Sequence, residues 1–224
     1  MTFEEYPDRD ALYMGLADRL ASALGEAIRG SDKGASLCVP GGTTPGPVFD
    51  LLSAARLDWE KVTVFLNDER WVDEGSERSN GRLIRQRLIT DRAAAATYLP
   101  LYSGHATPED GIPELAEALT PHLPISVLLL GMGADMHTAS LFPGADRLAE
   151  ALAPDAPLLV PMRAEAAGEP RVTLSAPVLA AAVQIHVLIT GDEKRAALER
   201  ARALPPEEAP IRAVLANAIV HWAA

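Results

Sequence analysis

Leu12, Leu16, Leu20, Leu24 and Ile28 recur at every fourth position, and Ala17 and Ala21 fall on the same side, so this stretch predicts one long amphipathic helix. Acidic residues between Asp8 and Asp10 mark its start and Gly30 its end. Past Gly30 the apolar positions gather in short runs. Residues 35–39, 62–66, 125–130 and 185–190 are β-branched, aromatic or continuously apolar, the pattern of buried strands. Residues 97–101 suit a short edge strand, since Pro100 limits pairing, and 157–160, 171–175 and 219–222 suit further short strands. Helical stripes lie between them. One begins at Val48 and Phe49, with Pro47 in its first turn, and one spans 79–89 with Leu83, Ile84 and Leu88 as its apolar side. Others open at Thr107-Pro108-Glu109, at 176–182 with Ser175 as cap, at Asp192 as cap, and at 211–217. The region 143–171, broken by Pro154, Pro157, Pro161 and Pro170, is the least regular. Strands alternating with helices predict an α/β fold with a mostly parallel sheet and helices on both faces.

Composition narrows this picture. A chain of 224 residues, 48% hydrophobic and 23% charged, suits one domain over residues 1–224. The net charge of -11, with no run of Lys or Arg, argues against nucleic acid or an anionic membrane surface as partner. No apolar run approaches the roughly 20 residues that span a membrane, and the first ten residues lack the apolar core of a leader, so a cytoplasmic protein is expected. Cys38 is the single cysteine; it excludes a disulfide framework and a cysteine-rich zinc site, and its apolar surroundings predict a core thiol. A chain this acidic needs local cations to bind an anion.

Such cations and their companions fall at strand ends. Gly131 to Gly144 reads GMGADMHTASLFPG, directly after the 125–130 run. Asp135 and His137 are two apart, a spacing that puts both side chains on one side of an extended segment, where a carboxylate can orient an imidazole base. Gly41-Gly42-Thr43-Thr44 follows the 35–39 run, and its backbone N–H groups and hydroxyls suit an anion cradle at a helix start. Asp68, Glu69 and Arg70 follow the 62–66 run, Arg171 opens another, and Lys194 lies just inside a helix start, where a bound anion would offset the unfavourable dipole. Each piece alone also suits a structural role: a tight turn, a surface charge run, an exposed lysine. Gly131-Met132-Gly133 begins a dinucleotide fingerprint, but Met136 occupies the third glycine position and no acidic residue follows at the required distance, which argues against a nicotinamide cofactor. His105, His122, His186 and His221 stand alone in sequence without metal-ligand spacing and read as structural or exposed.

Taken together, Pro40 to Pro45, Asp68 to Val72 with Ser79-Asn80, Gly131 to Pro143, Arg171 to Leu174, and Gly191 with Lys194 resemble the 6-phosphogluconolactonases of the glucosamine-6-phosphate isomerase/6-phosphogluconolactonase family. The resemblance covers nearly the whole chain. It implies a Rossmann-like fold shared with glucosamine-6-phosphate deaminases and ribose-5-phosphate isomerases. It further implies hydrolysis of 6-phospho-D-glucono-1,5-lactone with no obligatory cofactor; no metal site is expected, and a monomer or small homo-oligomer is. Carried over by position, Gly41, Gly42, Thr43, Thr44 and Lys194 would hold the phosphate with Arg171 helping. His137 would be the general base with Asp135 fixing its tautomer, and Asp68 and Arg70 would line the sugar end. The family more often has glycine where this chain has Met136; a positive φ there would strain Met. Two rivals remain. An amino-sugar phosphate isomerase or deaminase would use Asp68 as its base, though its loop tends to read Asp-Glu-Tyr rather than Asp68-Glu69-Arg70-Trp71. A non-catalytic sugar-phosphate sensor would bind without turnover.

Overall fold

The computed structural model describes residues 1–224, the side chain of Ala166 excepted. In chain order, β1 (Thr2–Glu5) leads to α1 (Arg9–Gly30), β2 (Ala35–Val39), α2 (Gly46–Ser53), β3 (Val62–Leu66) and the short β4 (Asp68–Arg70). Next come α3 (Asn80–Arg87), β5 (Thr97–Leu99), α4 (Pro108–Leu119) and β6 (Val127–Gly131). The remainder holds α5 (Leu148–Leu152), β7 (Leu159–Met162), β8 (Arg171–Leu174), α6 (Ala176–Ala180), β9 (Gln184–Thr190), α7 (Asp192–Ala201), α8 (Arg212–Leu215) and β10 (Ala218–Ala223).

Seven strands form a parallel sheet in the order β1-β10-β9-β6-β2-β3-β5. Every residue of β2 is buried, and Val127 to Leu130 of β6 are too. Successive side chains of a strand point to opposite faces, so both faces of the sheet centre are covered. The main sheet is wholly parallel and accompanied by helices, in line with the mostly parallel sheet that the alternating pattern predicts and the Rossmann-like fold that the resemblance implies. Helix α1 packs on β2, β6 and β10, and its Leu12, Leu16, Leu20 and Leu24 are fully buried. Asp8 caps it by accepting the Ala11 N–H at 2.8 Å. Cys38 lies in the core, where burial pushes its thiol up. Among the described residues no helix is long and apolar enough to cross a membrane.

The structure departs from the sequence pattern in several places. Strand β1 was not legible, because its residues are exposed or only half-buried and it owes its form to pairing with β10. Residues 68–70 and 171–174 do not extend the main sheet. They form, with β7, a separate antiparallel sheet in the order β4-β8-β7. Asn67 is the joint: its N–H bonds the Val39 carbonyl at 3.0 Å, its own carbonyl accepts from Leu174 at 2.9 Å, and its side-chain amide reaches the Leu129 carbonyl at 3.1 Å. The cap of α7 is Gly191 rather than Asp192, which is the first helical residue; the turn takes φ 84°, a left-handed conformation that favours glycine. The irregular region contains the short helix α5, and the strand expected at 157–160 is shifted to Leu159–Met162.

His186 and His221 are not lone residues. They come from adjacent strands β9 and β10, both buried, with Nδ1 of His186 3.0 Å from Nε2 of His221. His221 Nδ1 lies 3.0 Å from the Tyr6 hydroxyl, which donates to Glu4 at 3.1 Å, and Arg19 closes the chain on Glu4 at 2.8 Å. Burial holds His186 down to about 4 and, with the neighbouring His186 adding to it, His221 down to about 3. Their ordinary value is 6.5, so between there and the folded values the unfolded chain binds protons that the folded one does not. Stability from this pair is therefore complete above the ordinary value and is lost as pH falls toward the folded values. The expected outcome is a urea midpoint that drops on acidification through this window, and drops less steeply in the His186→Asn/His221→Gln variant. Equal slopes in the two proteins would remove the pair from the acid response.

Candidate active site

The carboxyl ends of β9, β6, β2 and β3 are adjacent in the sheet, and the strand order reverses between β6 and β2. A crevice opens at such a reversal in α/β sheets. Here it is lined by Gly41, Gly42, Thr44, Asp68, Arg70, His137, Arg171 and Lys194, together with Asn80 and Gly131 to Gly133. Nearly every residue singled out from the sequence thus converges on one cleft. Thr43 does not line it; its side chain is exposed and its carbonyl accepts from Gly46. Asp135 lies behind His137 rather than on the cleft wall.

The cradle follows β2 because Pro40 and the glycines end the strand. Gly42 has φ 85°, and Gly41 is pressed so closely by Asn80 that a Cβ there would meet the amide oxygen at 1.9 Å. Opposite the cradle, Lys194 projects from the first turn of α7; burial pushes its ammonium down, opposed by Glu193.

The loop after β6 folds back on itself. Gly133 N–H donates to the His137 carbonyl at 3.0 Å, Met136 N–H to the Gly133 carbonyl at 3.0 Å, and the Thr138 hydroxyl to the Gly131 carbonyl at 2.9 Å. A Cβ on Gly133 would stand 2.3 Å from Nδ1 of His137, so only glycine fits. Nδ1 of His137 lies 2.5 Å from Oδ1 of Asp135, and its ring packs against Phe142 with centroids 4.4 Å apart. The hydrogen bond from His137 holds the Asp135 carboxyl below the usual carboxylate range. An ionised carboxylate only accepts, so it selects the Nδ1–H tautomer and leaves Nε2 with a free lone pair. Met136 does adopt a positive φ, 68°, and Ala139 takes 48°. This left-handed backbone costs a non-glycine residue roughly 1–2 kcal/mol. Both side chains pack half-buried against the core, and Ile211 donates to the Met136 carbonyl at 3.1 Å, which offsets the strain.

The Asp68-Glu69-Arg70 corner divides its tasks. Asp68 is buried, accepts the Ser140 hydroxyl at 2.5 Å and pairs with Nη1 of Arg171 at 3.5 Å. Arg171 lies directly opposite Arg70 in the β4–β8 register, with its guanidinium 5.2 Å from the Phe142 ring centre. Burial lowers the Arg171 pKa while Asp68 opposes the shift. Glu69 turns away from the cleft and caps α3, accepting from the N–H groups of Asn80 at 2.8 Å and Gly81 at 2.7 Å and from the Ser79 hydroxyl at 3.0 Å. Burial raises its pKa and these donors oppose the rise. No sequence signal marks Asn80, Ser140 or Phe142 as a residue of this site. Ser140 and Phe142 belong to the glycine-rich loop and Asn80 to the Ser79-Asn80 pair, but nothing in one dimension tells which side chains of those stretches face inward. Among the described residues no three His, Cys, Asp or Glu side chains cluster as metal ligands would.

This geometry has counterparts. The family model for glucosamine-6-phosphate isomerases and 6-phosphogluconolactonases matches residues 7–222. The chain belongs to this family. A 6-phosphogluconolactonase of Rhizobium meliloti (strain 1021) is 43% identical over 228 aligned positions, covering 97% of each chain. The crystal structure of a 6-phosphogluconolactonase from Shewanella baltica OS155 superposes with a TM-score of 0.96 at 37% identity, covering 100% of this chain and 98% of that one. A monomeric glucosamine-6-phosphate deaminase, at 16% identity and a TM-score of 0.81 over 100% of this chain and 97% of its own, shares the fold.

Proposed function

We propose that this member of the family hydrolyses 6-phospho-D-glucono-1,5-lactone to 6-phospho-D-gluconate, the lactone-opening step of the oxidative pentose phosphate pathway. The observation that carries the reading is the Asp135–His137 pair, 2.5 Å apart, with the imidazole on the wall of a cleft that also holds Arg70, Arg171 and Lys194. The cradle, Lys194 and Arg171 hold the phosphate, whose binding energy orients the remote lactone carbonyl. Nε2 of His137 takes a proton from water as its oxygen adds to C1. The oxyanion that forms is met by Arg70 or by N–H groups of residues 131–133. On collapse the C1–ring oxygen bond breaks and the imidazolium returns its proton to the ring oxygen, leaving a hydroxyl and a carboxylic acid that loses its proton to solvent.

The rival proton abstraction at a sugar carbon needs Asp68 as a free base. Asp68 is instead engaged by Ser140 and Arg171, which favours hydrolysis. The deciding experiment uses freshly generated lactone and measures its opening above the spontaneous rate, beside an assay for ammonia release from glucosamine 6-phosphate. Ammonia release without lactone opening would reverse the assignment, and binding with neither reaction would make the protein a sensor. Lys194→Ala is expected to raise KM by about 10- to 100-fold with a smaller change in kcat, as loss of a charge-assisted contact of roughly 1.5–3 kcal/mol implies. Unchanged saturation curves would take Lys194 out of phosphate binding. The protein is further proposed to act in the cytoplasm as a monomer or small homo-oligomer, which gel filtration with light scattering tests.

A further inference from the structure

Asn80 takes no part in the hydrolysis as derived above, yet its side chain forms part of the cleft wall. It is the first residue of α3 and only 3% exposed, and its main-chain N–H is anchored on the Glu69 carboxylate at 2.8 Å. Both ends of its amide are engaged. The oxygen accepts from Nη1 of Arg70 at 3.0 Å, and the nitrogen donates to the Asp68 carbonyl at 3.1 Å. The donor bond sets which way the amide faces, and so presents its oxygen, not its nitrogen, to the guanidinium. The same oxygen presses on Gly41 of the cradle. One side chain therefore touches the arginine arm, the β4 backbone and the phosphate loop.

Arg70 has one other tether, the Arg78 carbonyl, which accepts from the same Nη1 at 2.7 Å. Its Nε is buried without a partner. Holding a guanidinium at one nitrogen by two neutral oxygens fixes its plane while leaving its charge uncancelled. A carboxylate in the place of the amide would fix the plane equally well but neutralise the cation. We infer that Asn80 is a positioning residue for Arg70: its uncharged oxygen aims the guanidinium into the cleft and ties that aim to the cradle through Gly41. The inference rests on the reading of Arg70 as a substrate-facing cation.

The test is a double-mutant cycle of Arg70→Ala and Asn80→Ala on lactone hydrolysis, with thermal midpoints recorded for each protein. Asn80→Ala should lower kcat/KM by about 10²-fold, the cost of a misplaced group, and the loss should fall in the same parameter, kcat or KM, as that of Arg70→Ala. In the Arg70→Ala background the same substitution should cost no more than about twofold, because the residue it positions is gone. Asn80→Asp keeps the size and the anchor on α3. It should be at least as impaired as Asn80→Ala, and it completes the cycle if the alanine variant is unfolded. Equal losses in both backgrounds would overturn the inference and make Asn80 a purely structural residue. Full activity in Arg70→Ala would instead remove Arg70 from the site, and the positioning role with it.

Discussion

His137→Ala is expected to lower kcat by about 10²–10⁴-fold, the usual contribution of a general base, while leaving KM within a few-fold of the parent. The split follows from the geometry. The imidazole is held at Nδ1 by Asp135, packs on Phe142 and lines the cleft, whereas the cationic groups that would bind the phosphate come from other elements. Removing the ring would delete the proposed proton acceptor and leave those cations in place. Asp135→Asn should follow the same direction with a smaller loss, because an amide no longer selects the Nδ1–H tautomer. Steady-state kinetics on fresh lactone, corrected for spontaneous opening, decide the matter. Near-normal turnover in His137→Ala would remove the histidine from the mechanism, and a loss confined to KM would make it a binding residue.

Asp68→Ala should be the most destabilising of the site substitutions, by about 3–5 kcal/mol, since it leaves a buried arginine without its counter-charge. Asp68 is 5% and Arg171 9% exposed, and the pair is joined at 3.5 Å with Ser140 completing the carboxylate's contacts. Arg70 stands opposite Arg171 across the strands, so loss of the carboxylate also leaves two like charges facing each other, an arrangement that destabilises a sheet. The double variant Asp68→Ala/Arg171→Met should recover most of the stability, because an apolar replacement of both partners removes the buried charge, yet it should not recover activity. Denaturant midpoints with unchanged slopes would report the first result and lactone turnover the second. A single variant within about 0.5 kcal/mol of the parent would mean that the ion pair carries no stability, as many exposed pairs do.

The separate fates of Asp68 and Glu69 illustrate what one dimension hides. Adjacent in sequence and both acidic, they face opposite ways because successive residues of a strand do so. Asp68 reaches the cleft wall and Arg171; Glu69 reaches the start of α3, where four donors surround it. No periodicity distinguishes them until β4 is known to be a strand, and β4 is a strand only because β8 pairs with it. The same holds for β1, whose residues carry no buried pattern and which exists as an added edge on β10. His186 and His221 are 35 positions apart and meet only because parallel β9 and β10 set them diagonally across adjacent strands, His186 opposite Ile219 and His221 opposite Leu188.

Local chemistry determined the rest. The four-residue leucine repeat of α1, the all-apolar runs of β2 and β6, and the glycines at 42 and 133 each specify their own conformation, through burial in the first two cases and through a turn or a close approach in the last. From those signals the alternation of strand and helix, and hence a parallel sheet with its loops at one edge, follows without coordinates. The Asp135–His137 pair was legible too, although the two meet across a tight turn, with Met136 at φ 68°, rather than along the extended segment their spacing suggests. What only tertiary structure decided is which side chains share a cleft and which carboxylate is free. Asp68, readable as a base, is committed to Ser140 and Arg171, and Asn80, readable only as part of the helical stretch 79–89, closes the gap between Arg70 and Gly41. Such contacts join residues from different strand ends, and their distances are set by sheet order and register, which no local sequence pattern encodes.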